Sequence, residues 1–524
     1  MIGARFGPQL LAALGIDAVL DEPLGAELID QVRFAPDVEY AFRHPLIRAV
    51  AYESQLKSDR AQWHRRLAAA IQEYAPGSVE ENAALIAEHL ESAGELRAAY
   101  AWHMRAGAWS TNRDLDAAGA SWERACRVAD ALPDDDPDLL SMRIAPLTML
   151  CATAWRGGAM HEVRDRFAEL RELCSAAGDK VSLAIGMMGP AGELLYAGRS
   201  REASRLAAEQ MALLESIGDP DPIVGLAFAA FCIWFDAGEF GEIMRWSQTV
   251  VDLAGGDPAK GAVFGIGSPL AVAFAFRGTA RWWLGRPGWR QDLHDALAMA
   301  RRSNHPATLA GVAAWTYGLA MLYPVLRADD STLCAIEKDV QTAEATSSDT
   351  SLGLAEWALA VALLSRDAAA DRRRGLERMM QARDLILQER GFFMLPIFEL
   401  FAAREKASRG DRDAAIPVMR QAVDELHQAG RLGYGVWGSG VLVETLLQRG
   451  AEGDLTEAQA AIDFLANLPD DGSAMLQIML LRLRALLARA SGDDVAYRDL
   501  AERYRTTATD LGFEGHIAMA EAMM

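Results

Sequence analysis

Apolar residues recur at helical spacing along most of this chain. The stretch that begins at Ser58 places Trp63, Leu67 and Ile71 at i, i+4 and i+8, which is one apolar stripe of an amphipathic helix. Runs that alternate apolar and polar residues, as half-buried strands do, are absent after residue 55. The pattern therefore predicts helices from residue 56 almost to the end of the chain.

Glycine turns divide this helical pattern into repeats. Five of them stand at comparable points of the pattern: Gly158, Gly198, Gly238, Gly410 and Gly453. The first three are 40 residues apart and the last two are 43 apart. The fifth residue after each glycine is small or apolar: Val163, Ala203, Ile243, Ala415 and Ala458. Because a single hairpin cannot bury its apolar face alone, such a period predicts an all-α solenoid of stacked helical hairpins over residues 56–524.

Residues 1–55 do not follow the repeat. They predict short helices, a small extended piece, and a helix that begins at Pro45, where the missing N–H of proline costs nothing. The segment is too small to bury a stable core of its own, so we expect it to be part of a domain that leans on the helix after Ser58. Four of its side chains are predicted to pack there: Phe42, Leu46, Ile47 and Tyr52.

The middle of the chain is less regular. Gly238 and Gly285 are 47 residues apart, and the glycine-rich insertion AGGDPAKGAVFGIGSP lies between them. Insertions in repeat proteins often map to a functional surface. Each hairpin places one helix on the concave side, so we expect the partner surface in a groove of inner helices over residues 180–400. Trp315 and Tyr317 would supply aromatic anchors there. The alternative interpretation is that these aromatic residues are core.

The chain is strongly acidic, with 73 acidic against 52 basic residues and a formal net charge of −21. Solubility alone can explain this charge, which also disfavours contact with phosphate backbones and anionic membranes. We expect a protein or small-molecule partner with basic or neutral contacts, whose association weakens with salt, and neither nucleic acid nor membrane.

Cysteine usage and the N-terminal pattern predict a cytoplasmic protein. The five cysteines are widely spaced without a C-x-x-C pair, as expected for buried thiols in a reducing compartment: Cys126, Cys151, Cys174, Cys232 and Cys334. The first apolar run is broken by Asp17 and does not fit a signal peptide. Residues 306–326 are uncharged and long enough to span a bilayer, but an inner helix of a solenoid would have the same composition.

Motifs for catalysis are missing from the sequence. It contains no G-x-x-x-x-G-K-[ST], no H-E-x-x-H and no G-x-S-x-G. Three histidines in consecutive predicted helices could meet and bind a metal, although a helix interface is the commoner setting: His64, His89 and His103. Asp134–Asp136 fits a capping turn better than a metal loop, and Arg372–Arg374 fits a solvated helix start. We therefore assign no catalytic, cofactor-binding or metal-binding residue and no cofactor.

One segment resembles a known protein class. Residues 42–74, FRHPLIRAVAYESQLKSDRAQWHRRLAAAIQEY, carry F-x-H-P-L-I-x-x-x-A-Y followed by R-x-x-x-H-x-x-L-A. This phrase is similar to the junction in actinobacterial multidomain signalling proteins, where a nucleotide cyclase or other module, a P-loop ATPase and a winged-helix-like segment precede a tetratricopeptide-like array. LuxR-type ATPase regulators share the junction but add a helix-turn-helix after the repeats. The resemblance is close over residues 1–132 and loose beyond.

The resemblance implies that residues 1–55 are the remnant of a winged-helix-like segment after an absent ATPase domain, and that residues 56–524 are a tetratricopeptide-like array. The phosphate loop and the metal-binding aspartates of that class have no counterparts here, so no catalytic residue is carried over. We expect a non-catalytic sensor or scaffold that binds a protein or small ligand. The alternatives are a part of a cyclase or ATPase whose catalytic domains lie elsewhere, and a LuxR-type regulator without its DNA-binding domain.

Overall fold

A computed structural model describes most of the chain as two compact units. Unit 1 holds residues 1–157 and 164–186, and unit 2 holds residues 158–163 and 187–524. The described residues are 5–17, 19–34, 38–74, 76–111, 113–157, 160–264, 266–346, 349–388, 394–469 and 472–524.

Unit 1 begins with a small antiparallel sheet. Its described strands are β1 (Arg5–Phe6), β2 (Ile29–Arg33) and β3 (Glu39–Phe42), in the order β1-β3-β2. Short helices accompany the sheet: α1 (Pro8–Ala13), α2 (Asp21–Gly25) and α3 (Pro45–Glu53). His44 caps α3 by accepting a hydrogen bond from the Leu46 N–H at 3.2 Å, and Pro45 follows at the first helical position, as predicted.

Seven helices follow in the described part of unit 1, and the first residues of α9 belong to unit 2: α4 (Lys57–Tyr74), α5 (Ala83–Ser92), α6 (Leu96–Ser110), α7 (Leu115–Asp130), α8 (Leu139–Gly157), α9 (Met160–Ala177) and α10 (Lys180–Gly186). A short 3₁₀ turn, Pro76–Ser78, follows α4. Consecutive helices from α4 to α8 pack on one another. Gly107 of α6 permits this approach, because a Cβ at that position would collide with the buried indole of Trp122 on α7.

The first residues of unit 1 contact α4 differently from the prediction. Leu14 is buried in one cluster with Leu67 and Ile71, whereas Leu46, expected in that contact, is 66% exposed. Tyr52 does reach α4, where its hydroxyl lies 3.1 Å from Nε2 of His64. The expected packing of Leu46 is therefore wrong, because the exposed face of α3 carries it.

Unit 2 starts with α11 (Met188–Tyr196) and continues as helical hairpins. The first helices of the hairpins are α12 (Ser200–Ile217), α14 (Phe240–Ala254), α16 (Trp289–Arg302), α19 (Asp330–Thr346), α21 (Ala369–Gln388), α23 (Arg412–Gln428), α25 (Asp454–Ala466) and α27 (Asp494–Leu511). The second helices are α13 (Pro220–Ala237), α15 (Pro269–Trp283), α17–α18 (Pro306–Ala313 and Leu319–Leu322, joined by the π-turn Ala314–Gly318), α20 (Asp349–Leu364), α22 (Leu395–Ser408), α24 (Leu432–Arg449), α26 (Ala474–Ala490) and α28 (Glu514–Glu521).

The glycine period predicted these hairpins correctly. Gly198, Gly238, Gly410 and Gly453 all have positive φ, between 69° and 102°, which glycine adopts without steric cost. The fifth residues after the five glycines are fully buried, each at 0% exposure: Val163, Ala203, Ile243, Ala415 and Ala458. Gly158 itself lies outside the described residues. The all-α fold of stacked, tetratricopeptide-like helical hairpins is confirmed.

The second helices form the core of unit 2. Helix α13 buries 13 of its 18 residues and α24 buries 13 of 18, while the first helix α12 buries 7 of 18. A helix that is apolar on all sides has to be enclosed by other helices. The second helices are therefore the inner layer of the array, and the first helices cover them.

The inner helices also contact each other across the array. Helix α13 packs on α24 and α15 packs on α26, although these pairs are far apart in sequence. The hydroxyl of Tyr323 donates to the Gly433 carbonyl at 2.7 Å, and the Glu514 N–H donates to the Val325 carbonyl at 2.9 Å. Unit 2 thus winds back on itself, so that its first hairpins touch its last ones.

Aromatic side chains within the predicted groove region, residues 180–400, pack against other rings of unit 2. Trp315 packs against Phe235 and Phe276, with ring centroids 5.7 Å and 4.8 Å away. Phe240 stacks on Trp283 at 3.9 Å. These rings contact one another, as the core interpretation expects, while Trp315 and Tyr317 both keep part of their surface exposed.

The glycine-rich insertion is docked rather than free. Gly261 and Gly225 approach so closely that a Cβ on either would collide with the backbone of the other. The 3₁₀ turn Ala262–Phe264 follows, in which Val263 is 85% exposed. The insertion therefore lies against the beginning of α13.

Among the described helices, α13 has the length and composition to cross a bilayer, and 72% of that stretch is buried in the protein. The uncharged segment 306–326, considered from the sequence, forms a shorter apolar helix, Pro306–Leu322. Its residues contact the neighbouring inner helix α20.

Candidate functional site

The histidines singled out from the sequence lie in unit 1. Nδ1 of His64 is 3.1 Å from Nδ1 of His89, while His103 instead approaches Glu91, with Nε2 3.1 Å from its carboxylate. Burial lowers the pKa of all three imidazoles, that of His89 to about 4. Among the described residues, no group of three or more His, Cys, Asp or Glu side chains is placed to hold a metal ion. The first two histidines form a neutral buried pair.

Other charged motifs have structural partners. The carboxylate of Asp136 accepts the Asp138 N–H at 2.9 Å, which is the capping role expected from the sequence. Arg372 pairs with Glu405 at 2.9 Å and Arg374 with Glu337 at 2.6 Å. The basic cluster Arg372–Arg374 therefore joins neighbouring helices through two of its members and is not simply a solvated helix start.

Three charged residues stand on consecutive inner helices of unit 2. Arg404 lies on α22, Glu444 on α24 and Arg482 on α26, and an ion pair joins Glu444 to Arg482. We call these three residues the inner charge cluster. They are 40 and 38 residues apart, about one repeat each, so the stacking of the hairpins brings equivalent positions together.

Arg404 is exposed to solvent, and yet desolvation by the surrounding protein is the largest influence on it and lowers its pKa. The pKa of Glu444 is lowered: desolvation would raise it, but the charges of Arg482 and Arg404 outweigh that effect. The side chains of Glu444 and Arg482 keep 25% and 17% of their surface exposed. The three charged side chains therefore lie on inner helices that pack on one another, and each keeps part of its surface accessible to solvent.

Charge in this part of unit 2 differs from that of the whole chain. Helices α22, α24 and α26 together carry six basic and three acidic residues, and α26 has no acidic residue at all. The net charge of −21 does not describe this surface. The expectation that a partner offers basic contacts is therefore not supported at the inner charge cluster.

The sequence alone did not reveal this cluster, because Arg404, Glu444 and Arg482 are each unremarkable in their own helix. Their spacing by one repeat was the available signal. The predicted surface, residues 180–400, ended just before the first of them.

An apolar crevice elsewhere in unit 2 is too small for a ligand. It holds about 50 Å³, which is room for one or two waters, between the ends of α13 and α15 and the starts of α24 and α26. Phe240, Trp283 and Leu432 line it. It marks imperfect packing where the array closes.

The cysteines are mostly structural. Burial raises the pKa of Cys126 to about 11 and that of Cys151 to about 12, which keeps both thiols protonated. Cys334 is exposed, against the expectation that all five are buried.

Comparison with known proteins gives no family. No protein-family model and no curated protein matches the chain. A crystal structure of a Rap protein complexed with competence and sporulation factor is similar at 11% identity and a TM-score of 0.38, covering 79% of this chain and 99% of that one. A circular tandem repeat protein with novel repeat topology and enhanced subunit contact surfaces is similar at 15% identity and a TM-score of 0.12, covering 98% of both chains. At these scores neither likeness carries an argument, and the assignment of the chain to the helical-repeat proteins rests on its own hairpins.

Proposed function

We propose that this protein is a non-catalytic helical-repeat module that binds a protein segment or a small ligand at the inner charge cluster. The observation that carries the proposal is that α22, α24 and α26 pack in sequence and place charged, solvent-accessible side chains at equivalent repeat positions. Consecutive hairpins bring Glu444 and Arg482 beside Arg404, so a ligand there contacts several repeats at once.

Hydrogen–deuterium exchange tests the proposal without mutation. The purified chain is screened for thermal stabilisation against a panel of short peptides and metabolites, and the exchange of the chain is compared with and without each stabilising compound. We expect protection in peptides covering α22, α24 and α26, because a bound ligand raises the free energy of opening there. Protection confined to other helices, or no stabilising compound in the panel, would contradict this function.

Absence of catalysis is the second part of the proposal. The phosphate loop and metal-binding aspartates needed for nucleotide chemistry are missing from the sequence. We expect neither ATP hydrolysis nor cyclic nucleotide formation by the purified chain with Mg²⁺ or Mn²⁺. Turnover that follows the protein through a further purification step, at constant specific activity, would refute it.

We further propose that the chain belongs to a signalling ATPase or nucleotide-cyclase system, in which residues 1–55 are a winged-helix-like remnant and residues 56–524 the repeat array. Support comes from the motif in residues 42–74 and from Leu46, Val50 and Leu56, which are 66%, 67% and 69% exposed. Large exposed apolar side chains are common where another protein surface docks.

The genomic DNA upstream of the first codon tests this relation. An in-frame P-loop or cyclase motif, or a neighbouring gene for such a domain, is expected. A helix-turn-helix gene alone would favour the LuxR-type alternative. If none of these sequences is present, the relation to such systems is wrong, while the binding function stands.

A further inference from the structure

We propose that α3 and the first turn of α4 form a docking surface for an acidic amphipathic helix of a partner protein. We call it the α3 surface and define it by five residues: Leu46, Val50 and Leu56, with Arg48 and Lys57. It belongs to unit 1, whereas the inner charge cluster belongs to unit 2, so the two binding proposals can fail separately.

Exposed apolar side chains are concentrated in the segment that contains the α3 surface. Among the described residues, 14 large apolar side chains are exposed, and seven of them lie within residues 19–56 of this 524-residue chain. Single exposed apolar residues are normal on any protein, whereas a group of them in one place is typical of an interaction site. The α3 surface is therefore a candidate interface.

Helix α3 contributes no buried residue to the protein, although it carries Leu46, Ile47 and Val50. Leu46 and Val50 are one helical turn apart, so their side chains are neighbours on the same face. An amphipathic helix ordinarily turns such a face towards the core. Here α3 is held from another side, where the Tyr52 hydroxyl lies 3.1 Å from Nε2 of His64 on α4. Its apolar face is left for a contact with another molecule.

Positive charge accompanies this apolar face. Residues 43–66 contain six basic and two acidic residues, a local net charge of +4 in a chain whose total is −21. Arg43 is paired with Glu27 and Asp30. Arg48 and Lys57 are exposed and form no hydrogen bond or ion pair with the described residues. Two unpaired cations beside apolar side chains complement a helix whose apolar stripe is flanked by carboxylates.

A protein helix suits the α3 surface better than an anionic membrane or a second copy of this chain. A helix docked here touches only this surface, and charges farther away than about 8 Å are largely screened at physiological salt. A bilayer or a second copy extends beyond the surface and also faces the acidic remainder of the chain. The local charge therefore favours a narrow acidic partner.

Three designed peptides of about 18 residues, long enough to form a helix, test the proposal by fluorescence anisotropy with the intact chain. The first carries leucines at i, i+4 and i+7 flanked by glutamates. The second has lysines in place of the glutamates, and the third has the composition of the first with its leucines scattered around the helix. We expect the first peptide to bind at least tenfold more tightly than either control and to weaken as salt is added.

Substitution of the apolar residues tests the centre of the surface. The double variant Leu46→Ser and Val50→Ser should weaken binding of the first peptide at least tenfold, because the leucines lose the apolar area that they cover. Val495→Ser is the matched control, since Val495 is equally exposed but lies on α27 of unit 2, and it should change nothing. An unchanged thermal midpoint of each variant shows that the fold is intact.

Substitution of the cations tests the rim. The double variant Arg48→Gln and Lys57→Gln should weaken binding of the acidic peptide and make its affinity less dependent on salt, while the lysine peptide should bind no more weakly than before. Arg373→Gln removes an exposed arginine of α21 in unit 2 and should leave the affinity and its salt dependence as they are.

Hydrogen–deuterium exchange places the bound peptide. We expect the first peptide to protect α3 and the first turn of α4. Protection of α22, α24 and α26 instead would assign the peptide to the inner charge cluster, which would overturn this inference and support the proposed function.

Four further results would overturn the inference. Equal affinity for the acidic and lysine peptides would refute the charge complementarity, and no binding of the first peptide up to about 1 mM would refute the docking surface. Vesicles of equal parts phosphatidylcholine and phosphatidylglycerol that bind the chain through Leu46 and Val50 would identify a membrane as the occupant. Self-association that is lost in the Leu46→Ser and Val50→Ser variant would identify a second copy.

Discussion

At the scale of single residues, many charged side chains in unit 2 form ion pairs with partners on other hairpins. Arg301 pairs with Asp339 at 2.8 Å, 38 positions along the chain, and Arg420 pairs with Glu457 at 2.6 Å, 37 positions along. Such pairs join neighbouring repeats at equivalent positions. The pair of Asp236 and Arg431 is different, because 195 positions separate its members and both are almost fully buried. It joins two hairpins that meet only because the array closes.

Removing the charge of Asp236 tests how much this long-range pair matters. Asp236→Asn leaves the guanidinium of Arg431 buried without its counter-charge, so we expect a loss of about 3–5 kcal/mol in the free energy of unfolding. Glu202→Gln is the matched control, since its pair with Arg199 is about half exposed on both sides and should contribute much less. Urea unfolding followed by circular dichroism measures both. Equal effects of the two substitutions would contradict a role in closure.

The histidine pair predicts a pH dependence in unit 1. Burial lowers the pKa of His89 to about 4, below the ordinary value of 6.5. Above pH 6.5 the burial of His89 does not reduce the free energy of unfolding through protonation. As the pH falls from 6.5 towards 4 the unfolded chain takes up a proton that the folded chain does not, so up to about 3 kcal/mol is lost.

Hydrogen exchange of α4 and α5 between pH 7 and pH 5, corrected for intrinsic rates, measures that loss. His89→Gln should make the dependence shallower, because the group that titrates only on unfolding is gone. His294→Gln removes an exposed histidine in unit 2 and should leave it unchanged. A dependence that is identical in the wild type and His89→Gln would show that His89 does not cause it.

At the scale of elements, close backbone approaches decide where helices and loops meet. Gly225 allows the insertion to lie on α13, since a Cβ there would collide with Phe264 and with the Gly261 carbonyl. Gly318 similarly allows Trp357 of α20 to reach the π-turn. The carbonyl of Trp315 in that turn accepts a hydrogen bond from Thr279 at 3.3 Å, so a partner on α15 satisfies a group in the irregular part of the helix.

Gly225→Ala should displace the insertion from α13. The added methyl has no space, so we expect a destabilisation of about 1–3 kcal/mol and faster proteolysis within residues 256–264. Gly311→Ala is the control, because nothing lies within 4 Å of its Cβ position, and alanine in a helix is favoured by up to about 1 kcal/mol. Thermal melts and limited proteolysis follow both variants. Unchanged cleavage of the insertion in Gly225→Ala would argue against docking through this contact.

At the scale of unit 2, contacts between early and late hairpins make its unfolding more cooperative than that of an open stack of repeats. In an open solenoid each repeat contacts only its neighbours, and the ends fray independently. Here α28 donates backbone hydrogen bonds from Glu514 and His516 to the carbonyls of Val325 and Pro324. Arg290 adds an ion pair to Glu514 at 2.5 Å. The last helix therefore stabilises a segment nearly 190 residues before it, as the 187 positions between Arg327 and Glu514 show.

Deleting α28 tests this cooperativity. A chain that ends at Gly512 leaves two carbonyls without donors, so we expect amide exchange of residues 319–327 to accelerate at least tenfold. Helix α12, which packs on α11 and α13, serves as the internal control and should exchange as before. An effect confined to α26 and α27 would show that the array behaves as an open stack.

The amino-acid sequence by itself determined the local structure of this protein: where the chain turns between helices and which small residues are buried between them. Glycine turns such as Gly238 and small residues such as Ala203 could be identified from the sequence, because turn geometry and hairpin stacking depend on residues close in sequence. The cap at His44 and the buried fifth positions follow from the same short-range rules. The sequence also showed that motifs for nucleotide chemistry are missing.

Only the tertiary structure decided how strongly the array of hairpins winds and which distant hairpins contact each other. The winding of a solenoid is the sum of small rotations between repeats, and no local pattern specifies that sum. Whether Trp315 lines a groove or lies in the core therefore depended on whether α13 meets α24. The candidate site followed the same logic: Arg404, Glu444 and Arg482 are ordinary helical residues in sequence, and only the packing of α22 on α24 and of α24 on α26 brings their helices together.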